Sequence, residues 1–189
     1  MKIILDVFLI LLVGYYTFRF VRLLLKLKKG IIFPLSEEML DVRIFPMRPV
    51  ALPIFSKQKA SLIIYTFMLV FLMVMISFAL RSPEINWSFY FMSLLPLLNS
   101  HNLLNVFAIN DDGIMRGARF IPWKNITAFR FVPIDVNHRF YGYGDEVNSG
   151  HELIVRGRFF SISTIVTTVE MKKKITNILS QRVDGNIED

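Results

Sequence analysis

Residues 60–80 read ASLIIYTFMLVFLMVMISFAL, a run of 21 residues without a charge. At about 1.5 Å rise per residue, a helix of that length matches the roughly 30 Å hydrocarbon core of a bilayer. The rest of the chain agrees with a membrane setting. Of 189 residues 53% are apolar, and the mean hydropathy is +0.48, which excludes a disordered chain and most soluble domains. There is no cysteine, so a disulfide framework, a thiol nucleophile and a thiolate metal site are excluded.

Outward toward the N-terminus, Ile3 to Val21 is a second apolar run, broken by Asp6 near one end and Arg19 near the other. It predicts a span over 3–21, because both charges can reach an interface. A signal peptide is the competing reading. Against it stand a single basic residue, Lys2, ahead of the apolar run, and Tyr15, Tyr16 and Phe18 where small cleavage-site residues belong. Outward toward the C-terminus, Ile85 to Leu104 predicts a third span, although Pro96 interrupts it and Asn99, Ser100, His101 and Asn102 cluster in its second half. Such groups are tolerated in a bilayer only where neighbouring helices or water satisfy them. Asn99, His101 and Asn102 are therefore candidate helix-contact residues, and the segment either spans or re-enters.

Charge sets the orientation. Between Arg22 and Lys59 eight basic residues stand against three acids, an excess of five, whereas Arg81 and Glu84 in the opposite loop cancel. Basic residues stay on the cytoplasmic side, so loop 22–59 is predicted inside and the N-terminus outside; with three spans the tail from Asn105 is inside as well. That tail holds eleven basic and ten acidic residues. The high isoelectric point of 9.8 is thus a topology signal and not a nucleic-acid footprint.

Arg19, Arg22, Lys26 and Lys29 are spaced by three, four and three residues, which puts all four on one helical face just beyond the bilayer. They are predicted to anchor the membrane surface among anionic headgroups, each contributing about 1 kcal/mol. From Gly30 the loop is punctuated by Pro34, Pro46, Pro49 and Pro53, a density that blocks a long helix. Apolar pairs such as Ile31-Ile32 and Ile44-Phe45 make it too apolar for a solvated linker, so it lies along the membrane interface, packs on the tail or meets a partner protein.

The tail, residues 105–189, reads as strands followed by one helix. Asn105 to Ile109 is a strand, Asn110-Asp111-Asp112-Gly113 a tight turn and Ile114 to Phe120 the returning strand. Thr127 to Val132 is a third strand, stopped by Pro133, and Glu152 to Val155 with Phe159 to Ser163 flank Arg156-Gly157-Arg158 as a second hairpin. Thr167 and Glu170 form a capping-box pattern between the staple positions Val166 and Met171; Met171, Ile175, Ile178 and Leu179 make one apolar stripe, and Gly185 is a plausible stop. Lys172 to Lys174 fall between stripe positions and read as a solvated face.

With Asp112-Gly113-Ile114, Ile121-Pro122-Trp123-Lys124-Asn125-Ile126, the Phe140-Tyr141-Gly142-Tyr143-Gly144 loop, a late hairpin and a terminal helix, the tail from Val106 to Val183 resembles the pleckstrin-homology-like domains of small bacterial membrane proteins. The resemblance implies a bent antiparallel sheet closed by a C-terminal helix, and an accessory or scaffolding role beside transporters or envelope systems. Fewer than the family's seven strands are legible, so 135–151 hides one or forms a loop. Headgroup binding by the eukaryotic namesakes uses basic residues in the first strand-strand loop, where this chain has Asp111 and Asp112, which repel phosphate.

The fold class predicted is therefore a membrane α-helical protein of three spans with a small α+β cytoplasmic domain. Catalytic chemistry has little to work with. His101, His138 and His151 lack informative spacing; His138, Asp145, Glu146 and His151 approach one another only if their loop folds back; Gly142-x-Gly144 has no following lysine or helix to hold phosphate; and no serine has a base at recognisable spacing. No catalytic residue, cofactor or metal site is assigned. The sequence predicts a noncatalytic accessory, scaffold or regulatory subunit in the bacterial cytoplasmic membrane, with an integral-membrane partner or a second copy of itself and with lipids as its contacts. The alternative is a small membrane enzyme or lipid-handling protein using the His101 cluster or the His138 to Glu152 loop.

Overall fold

The computed structural model describes residues 2–26, 30–34, 41–51, 53–54, 56–82, 87–98, 100 and 103–183. Two long helices form an antiparallel hairpin, α1 (Lys2–Lys26) and α2 (Lys59–Arg81). Lys2 Nζ donates to the Ser82 carbonyl at 2.9 Å, which fixes the two distal ends together. On α2 the buried positions Leu62, Tyr65, Leu69, Leu72, Ile76 and Ala79 recur with spacings of three and four, the pattern of a helix-helix seam. They meet Leu9, Val13 and Leu23 of α1, and Phe20 stacks on Tyr65 with ring centroids 4.6 Å apart. The opposite faces, with Ile4, Leu11, Phe18, Ile63 and Phe67 more than 60% exposed, carry far more apolar surface than water tolerates on a monomer.

Both helices are long and apolar enough to cross a membrane. Three spans are predicted from the sequence, but the third segment forms only the 12-residue helix α3 (Trp87–Leu98), about 18 Å long, and among the described residues only α1 and α2 qualify. The helix stops where the apolar run gives way to the polar residues 99–102. Asn99, His101 and Asn102, the predicted helix contacts, lie outside the described residues, as do Lys29 and Gly185.

Among the described residues nine strands form two antiparallel sheets. β1 (Ile31–Phe33), β4 (Phe107–Asn110), β5 (Gly113–Arg116) and β6 (Arg119–Pro122) make one, in the order β1-β4-β5-β6. The other holds β2 (Val42–Phe45), β3 (Arg48–Pro49), β7 (Ile126–Pro133), β8 (His151–Gly157) and β9 (Ser161–Val166), in the order β3-β2-β9-β8-β7. The proline-punctuated loop thus packs on the tail and supplies three strands to its sheets. Ala51 N donates to the Asn105 carbonyl at 2.9 Å, and Asn105 Nδ2 to the Pro49 carbonyl at 2.7 Å, tying loop to tail where the tail begins.

The stretch expected as one strand from Ile114 to Phe120 is two, because Gly117-Ala118 makes a tight turn with Gly117 at φ +55. At Gly113 a side chain is excluded, since a Cβ would collide with the Ile121 carbonyl. The 135–150 stretch is a loop containing the short helix α4 (Asp145–Asn148). The first sheet is covered on both faces. Phe107, Ile109, Ile114 and Ile121 face the second sheet, whereas Val106, Ala108, Met115 and Ala118 join the core of α1 and α2. That double burial explains the near-continuous apolar run at 106–109.

Helix α5 (Val169–Ser180) closes the inter-sheet core with Met171, Ile175 and Leu179, while Ile178 is only half-buried. Its cap is Thr168 and not the predicted Thr167. Thr168 Oγ1 accepts from Met171 N at 3.4 Å, and Thr167 is occupied by the Asp41 carbonyl, to which it donates through both N, at 2.9 Å, and Oγ1, at 3.2 Å.

Candidate functional site: a basic groove at the foot of the first helix

The last turns of α1 carry Arg19, Arg22 and Lys26 on one face, and this face lies against the β5–β6 hairpin, so its cations are not given over to solvent alone. The small residues Gly117 and Ala118 let the helix approach, and Arg19 Nε donates to the Ala118 carbonyl at 2.9 Å. Arg22 and Lys26 both sit over the Phe120 ring, 5.8 and 5.0 Å from its centroid; such cation-π contacts contribute roughly 0.5–1 kcal/mol when exposed. Lys26 also pairs with Asp112, and Asn110 Nδ2 donates to the Lys26 carbonyl at 3.3 Å, satisfying an acceptor that the helix end leaves open.

Between helix and hairpin runs a groove of ≈500 Å³. Arg119 and Lys124 join the three cations of α1 along its walls, and among the described residues no carboxylate lines it. Its apolar lining is aromatic at the rim: Tyr15 and Phe18 on α1, both more than half exposed, and Phe160 on the β8–β9 hairpin, with Phe159 beside it 82% exposed. Cations and exposed aromatic rings thus line one groove side by side. Asp111 and Asp112, predicted to repel phosphate, are engaged by cations of the chain itself: Asp112 by Lys26 and Asp111 by Arg182 at 3.8 Å. Trp123 Nε1 donates to the Asp111 carbonyl at 2.8 Å and holds that turn. Trp123 therefore fastens the edge of the core, whose centre is Phe33, Phe107, Phe129 and Ile175.

The titratable residues of the 138–152 loop do not form one set. His138 Nε2 lies 2.9 Å from Glu152 Oε2, and Arg139 pairs with the other oxygen of the same carboxylate. Glu146 pairs with Arg43, from the 22–59 loop. His151 stands across from Val166 in the β8–β9 ladder, where burial and then the nearby Lys172 charge hold it below the usual histidine range. Glu152 is 3% exposed. Burial pushes its carboxyl up, but hydrogen bonds from Ser163 and Arg139, the Arg139 charge and the His138 contact together outweigh burial and hold it below the usual carboxylate range. Among the described residues no three His, Asp or Glu side chains converge on a point that would hold a metal ion.

Sequence reasoning finds the α1 stripe from its spacing but misses the other wall of the groove. Arg119 and Lys124 enter through the β5–β6 hairpin that Gly117 turns, for which that glycine was the available signal, and Phe160 enters from the β8–β9 hairpin. Comparison with protein-family models, with curated proteins and with solved structures finds no match to this chain.

Proposed function

We propose that this chain is a noncatalytic integral-membrane accessory or scaffold protein of a bacterial cytoplasmic membrane, in which the helices and the sheet body act as one rigid unit. The observation that carries this reading is the lock at the foot of α1: Arg19 on Ala118, Arg22 and Lys26 on Phe120, Lys26 on Asp112 and Asn110 on the last helical turn. A displacement of the helices in the bilayer is then felt by the sheets, which suits a subunit that reports or stabilises the state of a membrane partner. Pleckstrin-homology-like character of the tail is part of the same proposal, supported by the antiparallel sheets and the closing helix α5.

The N-terminus is outside and the sheet body cytoplasmic. The excess of five basic residues in loop 22–59 supports this. The pairing of β1 with β4 and of β2 with β9 puts loop and tail on the same side of a bilayer, so the chain returns across the membrane through the segment after Arg81 that contains α3. Purification from native membranes in mild detergent tests the role, with a stoichiometric protein partner as the expected result. A lone monomer retaining anionic lipid would move a lipid-handling role ahead, a second reading that the carboxylate-free groove favours.

A further inference from the structure

Adjoining that groove, and sharing Arg119 with it, lies a second cleft of ≈520 Å³, where β2, the β5–β6 turn, the Arg139 loop and the β8–β9 ladder meet. We propose that it binds a phosphate monoester as its dianion, gripped by Arg116, Arg119 and Arg139 with the Ser161 hydroxyl as a further donor. Arg116 and Arg119 stand directly opposite each other in the antiparallel register of β5 and β6. Like charges at facing positions repel, and Arg139 lines the same cleft. Burial first, then the Arg119 and Arg139 charges, make Arg116 less basic than an ordinary arginine. Its Nε is shut off from solvent with no hydrogen-bond partner among the described residues, and a guanidinium so placed is costly unless an acceptor comes to it.

Glu152 is the one carboxylate among the described residues that line the cleft, and His138 and Arg139 already engage both of its oxygens. Three guanidiniums less one carboxylate leave an excess charge of two, which a phosphate monoester neutralises and a diester or a carboxylate does not. Guanidinium forks match phosphate oxygens in geometry as well as charge. Apart from Ser163, whose hydroxyl accepts from Arg139 at 3.1 Å, the remaining lining, with Phe45, Pro46, Phe140 and Ile154, is apolar, so the ester carries an apolar or planar body, and the volume is that of a small-molecule site. The ester is either a soluble metabolite or the exposed phosphate of a lipid.

Titration of the detergent-solubilised full-length protein with inorganic phosphate, phenyl phosphate and short-chain phosphatidic acid tests the site. Saturable binding of inorganic phosphate is expected, tighter with phenyl phosphate. Affinity should fall about tenfold or more in Arg116→Gln and in Ser161→Asp, and less in Arg116→Lys, which keeps charge without the fork. Ser161 is exposed, so its variant reads the site even if Arg116→Gln does not fold. Whether phosphatidic acid outbinds phenyl phosphate decides between a lipid and a soluble source, and either result keeps the site. Arg22→Gln, in the other groove, should leave phosphate affinity unchanged, which separates this site from the proposed membrane role. No binding up to roughly 10 mM, equal affinity in Ser161→Asp, or dimethyl phosphate binding as tightly as inorganic phosphate would overturn the proposal.

Discussion

Glu152 is ionised inside the fold because three neighbours compensate for its burial, and the balance is visible as a pH dependence. Its carboxyl is held below the usual range, so its contribution is present above about pH 4.3 and is lost as pH falls through the lower folded value. His151, held below the usual histidine range, works in the same direction. Its contribution is present above about pH 6.5 and declines as pH falls from there. Melting temperature in detergent should therefore fall on acidification in two limbs. His151→Gln removes the upper limb. Glu152→Gln flattens the lower one while costing about 1–3 kcal/mol at neutral pH; a single limb in the wild type would contradict the assignment. In the sequence both residues are legible as titratable groups beside a glycine-rich loop. Their partners are not, because contacts such as His138 to Glu152 depend on how the loop returns to β8, and no spacing encodes that.

At the scale of elements, α5 separates what periodicity gives from what it leaves open. The stripe Met171, Ile175, Ile178, Leu179 is correct as a face, but period alone does not rank its members. Ile175 and Leu179 are fully buried and Ile178 sits at the margin. Ile175→Ala should cost about 2–5 kcal/mol and Ile178→Ala about 1–2 kcal/mol, measured by chemical denaturation in detergent; equal costs would mean that α5 is rotated from the position described. The cap shifted by one residue for a tertiary reason, since the Asp41 carbonyl draws Thr167 into the strand network. The β5–β6 turn was hidden because Arg116-Gly117-Ala118-Arg119 sits inside a stretch whose apolar neighbours suggest one continuous strand. At its other end β5 begins with Gly113, and Gly113→Ala should cost about 1–3 kcal/mol by forcing β5 from β6. It should also loosen the foot of α1, measurable as faster protease cleavage after Lys26 without a change in the α1–α2 pairing.

At the scale of the molecule, one sheet serves two cores, meeting the helix hairpin with one face and the second sheet with the other. The two apolar helices were legible from their long runs of apolar residues. Packing of the loop on the tail was one reading of its apolar pairs, but its strands were not legible, because β1 through β3 are short and proline-flanked and acquire strand character only from their partners. This union predicts a labelling result. Met47, at the β2–β3 turn, and Val136, in the 135–150 loop, are both more than two-thirds exposed. Met47→Cys and Val136→Cys should both resist a membrane-impermeant thiol reagent in intact cells, and both should react once the membrane is permeabilised. Opposite behaviour of the two sites would be incompatible with the shared sheets.

The pairing of Val42 with Val166 also sets an order of events during synthesis. β2 leaves the ribosome after α1 but long before β9 exists, and α2 is made in the interval. β1 and β2 must therefore wait for their partners in the tail while α2 is made, since non-local pairing cannot form before both strands are present. Tethering at both ends shortens the effective search for the partners that come later, and it leaves exposed strand edges in the nascent chain that a chaperone or the membrane surface must shield until β9 arrives.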